Sequence, residues 1–143
     1  MTQQIVDSIS YQEENCFLRV SPFRDFIHAF PGLYKFVGLS TGNYKGYHCQ
    51  WSINGDKLYL LELNGDIEFF DETLEATDYR DIDLDYIIDK HSFDGPPLFF
   101  KWFSGELEIS RGKLISAWPP GLGGTFEETI KLQFKDGVIG NIE

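Results

Sequence analysis

A chain of 143 residues and 16.5 kDa fits one ordinary domain, read here as residues 1–143. With 42% apolar and 24% charged residues the composition is globular, which excludes a disordered or fibrous protein. The net charge of −11 disfavours nucleic acid and anionic lipid as partners, because an acidic surface repels their phosphates.

At this length a fold buries roughly 70% of its unfolded surface, so no metal or disulfide staple is required. Aromatic residues reach 16%, with 13 Phe, 7 Tyr and 3 Trp. Such a stiff, ring-rich core suits sheets better than helices. No apolar run approaches the ~20 residues of a membrane span, and Met1 to Ser10 has neither a basic patch nor an apolar signal core. The expectation is a soluble, cytoplasmic protein. Cys16 and Cys49 lack metal-binding or CxxC spacing. They are expected to be reduced and buried as small apolar groups.

In chain order, short β-like runs occupy residues 4–10 and 16–20, separated by polar Gln12-Glu13-Glu14-Asn15. Ser21-Pro22 signals a helix start. Phe23, Phe26, Ile27 and Phe30 then follow helical spacing until Pro31-Gly32 stops it. Hairpin signals begin at Leu33. Tyr44 to Ile53, Lys57 to Leu63 and Asp66 to Phe70 are strand-like, and Asn54-Gly55 and Asn64-Gly65 stand between them. Asn-Gly between apolar runs predicts tight turns in an antiparallel meander, because both residues tolerate positive φ.

Residues 72–90 carry two patterns. Asp81, Asp83 and Asp85 alternate with Ile82, Leu84 and Tyr86 as in a half-buried strand, whereas Leu84, Ile87 and Ile88 share a helical face. The expectation is an irregular segment ending in a short helix. Beyond Asp94-Gly95-Pro96-Pro97, Leu98 to Phe103 and Glu106 to Ser110 are strand-like, with Ser104-Gly105 a kink or bulge and Arg111-Gly112 a turn. A glycine- and proline-rich loop spans 119–124. Thr129 to Phe134 then alternates, and Lys135-Asp136-Gly137 closes a last hairpin. The predicted class is mainly β, an antiparallel meander closing into a barrel or sandwich, with one or two short helices.

The chemistry of known motifs is largely missing. No G-x-S-x-G elbow occurs. His48 and Cys49 are adjacent, so on a strand they point to opposite faces, which argues against a dyad. Asp81-x-Asp83-x-Asp85 is spaced like the start of a calcium loop, but Tyr86 stands where glycine is needed and Ser92 where a bidentate Glu is needed. The three histidines have no zinc spacing. The glycines of 121–124 precede a strand-like run with no lysine, unlike a phosphate loop. Glu106 and Glu108 share a strand face and are read as solvated, opposite Leu107 and Ile109. No metal or cofactor is expected. Tyr44, Tyr47, Trp51, Trp102 and Trp118 could form a binding face, though core packing is their commoner use.

Two stretches, Gly46-Tyr47-His48-Cys49-Gln50-Trp51-Ser52-Ile53 leading to Lys57-Leu58-Tyr59-Leu60, and Trp102-Phe103-Ser104-Gly105-Glu106-Leu107-Glu108-Ile109 leading to Gly112-Lys113-Leu114, carry a resemblance. Together they resemble small, uncharacterised bacterial β-rich proteins with the same paired hairpins, over about a third of the chain. The resemblance implies a bacterial source and a shared β fold, and no activity.

Charge location suggests the function. Between Glu62 and Asp94 stand twelve acids and two bases, Arg80 and Lys90, while the rest of the chain is nearly neutral. Such a segment attracts a basic protein surface and steers its approach. The expected function is a non-catalytic acidic binding protein of the immunity or inhibitor type. Asp78, Asp81, Asp83, Asp85 and Asp89 would carry the contact, with Tyr79 and Tyr86 as anchors. The alternative is a ligand-binding or hydrolytic β-barrel with its pocket near Trp118 and the 119–124 loop, using His48, Trp102, Glu106, Glu108 and Arg111.

Overall fold

The computed structural model describes residues 6–38, 46–116 and 125–140. In chain order they form β1 (Asp7–Tyr11), β2 (Glu14–Leu18), α1 (Phe23–Ala29), β3 (Tyr47–Asn54), β4 (Lys57–Asp71) and β5 (Ala76–Asp83). There follow α2 (Leu84–His91), β6 (Leu98–Phe99), β7 (Gly105–Ser116), β8 (Thr125–Lys135) and β9 (Val138–Ile139). The fold is mainly β with two short helices, as the turn spacing and aromatic content predict. Neither helix is long and apolar enough to cross a membrane.

The pairings run in a ring, β3-β1-β2-β7-β8-β9-β4, which closes where β4 pairs with β3. β5 and β6 attach to β4 outside that ring. The expected meander needs one correction: β1 and β3 are parallel, with Ile9 opposite Trp51. Parallel neighbours need a long crossover, and the chain between β2 and β3, with α1 in it, supplies one.

One buried carboxyl group holds this crossover. Asp7 is 0% exposed. Its Oδ1 accepts from the Cys49 amide at 3.1 Å, and its Oδ2 accepts from Trp51 Nε1 at 2.8 Å and from the Ser21 hydroxyl. Ser21 Oγ also accepts from the Phe23 amide at 3.3 Å, at the start of α1. So β1, β3 and the helix entry share one polar centre in an apolar interior. Around it Trp51 meets Phe100 edge-on at 4.7 Å, and Phe23 stacks on Phe26 at 5.2 Å. Cys16 and Cys49 are both buried and form no disulfide.

The glycine turns divide into one shifted and one misread. At the first, Asn54 pairs with Lys57, so the loop is Gly55-Asp56, one residue later than expected, with Gly55 at φ +66°. The second is no turn. Gly65 lies inside the continuous β4, opposite Tyr47 on one side and Ile82 on the other. A Cβ there would stand 2.8 Å from the Phe36 ring and 2.9 Å from the Gly46 carbonyl oxygen. Asn-Gly thus serves close approach here, a use that local sequence does not separate from a turn. Arg111-Gly112 is likewise no turn: β7 runs through it with a register shift after Arg111. The Leu98 to Phe103 strand shrinks to two residues because β9 takes over that edge of β4: Lys57 pairs with Val138, and the Leu58 amide donates to Gly137 O. The last hairpin is where it was expected, with Asp136 and Gly137 both at positive φ.

The two patterns of residues 72–90 occur in series rather than in competition. The strand runs to Asp83 and the helix starts at Leu84. Asp83 is extended, and its Oδ1 accepts from the Tyr86 amide at 2.9 Å, so it ends β5 and caps α2. The expected irregular segment is therefore an ordered strand through Asp83.

Two substitutions test these readings by urea unfolding. Asp7→Ala should cost about 2–4 kcal/mol, because it orphans the Trp51 and Cys49 donors, and Asp7→Asn should cost less. Gly65→Ala should cost about 1–3 kcal/mol through overpacking against Phe36, although alanine suits strands better than glycine.

Candidate functional site

The acidic residues gather on an arm of the sheet. Past Gly65, β4 leaves β3 and pairs with β5 as far as Asp71 opposite Ala76. On β5, Ala76 through Asp81 are exposed and Ile82 is buried. Alternation puts Asp78 and Arg80 on the face of Ile82, and Tyr79, Asp81 and Asp83 on the other. The register sets Asp66 opposite Asp81, Glu68 opposite Tyr79, and Asn64 opposite Asp83. One face therefore carries Asp66, Glu68, Asp81 and Asp83.

Two acids directly opposite on one face destabilise a sheet. Lys35 Nζ lies 2.7 Å from Glu68, and this bond raises the lysine pKa above its ordinary value. At the base of the arm, a cleft of about 350 Å³ is lined by β4 residues 61–64, by Asp83, Leu84 and Asp85, and by Pro96. Glu62, Asp83 and Asp85 are its charged groups, with no base among the lining residues. It lies where β4 has left β5 but has not yet met β6, beside the register shift opposite Gln50 and Trp51.

Of the expected contact residues, Asp81, Asp83 and Asp85 come together on this surface. Asp78 lies on the opposite face of β5. Tyr79 is 51% exposed, as an anchor needs. Tyr86 is not available in the same way: the Arg80 guanidinium covers its ring at 5.1 Å and Lys90 Nζ stands at 5.6 Å. Asp89 is exposed on α2, one turn beyond Asp85. The β4 acids Glu62, Asp66 and Glu68 were not singled out from sequence. The β4–β5 register brings in Asp66 and Glu68, and the cleft brings in Glu62.

The alternative pocket residues are dispersed. His48 is half-buried on β3, its Nε2 3.0 Å from Val6 O, while Cys49 beside it is fully buried. Trp102 packs edge-on against Phe26 at 4.8 Å. Glu106 and Glu108 line a hollow with Val20, Arg24 and Phe103, Glu106 exposed but Glu108 half-buried, so their face is not fully solvated as expected, while Leu107 and Ile109 are buried. Arg111 faces a different cleft and is engaged by Glu128 at 2.8 and 3.0 Å and by Gln12 at 2.9 Å. That pairing holds the Glu128 carboxyl below its usual range. Trp118, the 119–124 loop and Tyr44 lie outside the described residues. Tyr47 and Trp51 are core, not binding face. Among the described residues, no group of three or more His, Cys, Asp or Glu is placed to hold a metal ion.

A half-buried aromatic group adjoins α2. His91 stacks on Phe93 at 4.8 Å and meets Phe30 at 4.6 Å, and its Nε2 is 2.7 Å from the Tyr34 hydroxyl. Burial pushes the Tyr34 pKa up to about 12, so the phenol stays protonated beside the imidazole. Burial first, then the Lys90 charge, lowers the His91 pKa from 6.5.

A base with a lowered folded pKa binds more protons when unfolded. Stability is therefore full above pH ~6.5 and falls as pH drops from there toward the folded pKa. Urea midpoints measured at about pH 7.5 and about pH 5.5 should show this loss, and His91→Gln should shrink it. Comparison with protein-family models, with curated proteins and with solved structures gives no match for this chain.

Proposed function

We propose that this is a non-catalytic binding protein of the inhibitor or immunity type, working in the cytoplasm of a bacterium. It holds a basic protein partner on the acidic β4–β5 arm and the adjoining end of α2. The observation that carries this reading is the pairing of Asp66 with Asp81 across two neighbouring strands. A fold gains nothing in stability from opposed carboxylates, and local rules are broken most often where function requires it. A lysine or arginine of the partner, seated over the two acids, would replace repulsion with charge-assisted hydrogen bonds. The field of the arm would speed encounter and make it salt-dependent.

Asp66→Asn together with Asp81→Asn separates stability from binding. Urea unfolding should show an unchanged or slightly higher stability, by up to about 1 kcal/mol, because the repulsion is gone. A pull-down from host lysate at low salt should recover a basic protein with the native chain, release it at high salt, and lose it with the double variant. Equal recovery with the native and variant chains, or none with either, would end the proposal.

A further inference from the structure

The backbone of the arm points to how such a partner docks, and this inference rests on the acidic binding reading. On β4, the Asp66 amide donates to Gly46 O at 3.0 Å, and the Asp66 carbonyl accepts from the Val37 amide at 2.9 Å. The Glu68 amide donates to Lys35 O at 2.9 Å. These groups face away from β5, so Asp66–Asp81 and Glu68–Tyr79 are the non-hydrogen-bonded pairs of an antiparallel ladder. Such pairs turn their other peptide groups outward. The N–H and C=O of Tyr79 and Asp81, and of Thr77 by the same alternation, therefore point to the far edge of β5. The Tyr79 amide agrees, since it donates to Asp78 Oδ1 at 2.8 Å and not to β4. Among the described residues, no strand pairs with that edge.

An open edge of this length is a template for another strand. Natural sheets blunt such edges with lysine, proline or a bulge, and β5 has neither lysine nor proline and runs opposite β4 with no register shift. Its guards are acids. They act selectively: a second copy of this chain would set Asp78, Asp81 and Asp83 against acids of the same sign, and an acidic segment would fare no better. A basic segment meets net attraction on one face, from Asp81, Asp83 and Asp66, while on the other Asp78 stands beside Arg80, whose guanidinium is turned onto the Tyr86 ring. We infer that the free edge of β5 accepts an extended lysine- or arginine-bearing segment of the partner as an added strand. Backbone hydrogen bonds to Thr77, Tyr79 and Asp81 supply the register, and alternate basic side chains supply the selectivity. The incoming strand displaces Asp78 from the Tyr79 amide and leaves its carboxylate for a cation.

The probe is a short peptide alternating lysine and threonine, titrated at low salt and followed by amide hydrogen exchange. A second peptide of identical charge carries N-methyl groups on alternate amides, so it cannot donate along one edge. Binding of the first should slow exchange at Thr77 and Asp81, and the N-methylated peptide should bind at least about ten-fold more weakly. Tyr79→Pro removes an outward N–H from an edge position, where proline is tolerated, and leaves the charge intact. It should weaken binding by a similar factor, whereas Tyr79→Val, which keeps the N–H, should not. If both peptides bind equally and the Asp66→Asn, Asp81→Asn variant weakens both, charge alone holds the partner. Strand addition is then wrong and the acidic reading stands. If neither peptide binds at low salt, both fail.

Discussion

The buried carboxyl of Asp7 is the constraint on which the remaining structure depends. Burying such a group is costly unless its acceptor sites are used, and here Cys49 and Trp51 of β3 and Ser21 at the entry to α1 use them. Satisfying it demands that β1 lie beside β3, that Trp51 turn inward, and that α1 begin at one place. The parallel β1–β3 pair follows, and with it the closure of the ring. An apolar residue at position 7 would pack without specifying any of these partners. The polar centre selects one arrangement of an otherwise adaptable aromatic interior.

From that ring, β4 extends as a strand longer than its neighbours need. Its first part pairs with β3, β6 and β9, and its later part carries β5 clear of the core. Gly65 marks the transition, where Phe36 and the Gly46 carbonyl press close on the backbone. The same geometry commits the outer peptide groups of Asp66 and the Glu68 amide to Gly46, Val37 and Lys35, and so turns those of Tyr79 and Asp81 away from β4. The open acidic edge is thus a consequence of how the ring ends. In the proposed binding, stability and recognition pull against each other there: the carboxylates that repel across β4 and β5 are the groups that would hold the partner's cation.

Legibility varied with the range of the interaction responsible. The helix of Phe23 and Phe26 and the Asp136-Gly137 hairpin follow from local rules and were readable directly. Asn64-Gly65 was not, because its glycine answers to Phe36 and Gly46, which lie far off in sequence. The strand-then-helix course of residues 76–91 was half readable. Both periodicities were present, but the switch depends on Asp83 capping α2 while still ending β5.

By itself the sequence determined the mainly β class, the ring-rich core, a helical content of one or two short helices and the concentration of acid between Glu62 and Asp94. These depend on periodicity, composition and turn chemistry, which act over a few residues. Tertiary structure alone decided that Asp7 is the polar centre, that β1 runs parallel to β3, and that Asp66 faces Asp81. It also decided that Tyr86 is covered by Arg80 and Lys90 while Tyr79 is free to make contact. The physical reason is register: a shift of one residue on β5 would exchange its two faces, and no local pattern in a strand exposed on both sides specifies that choice.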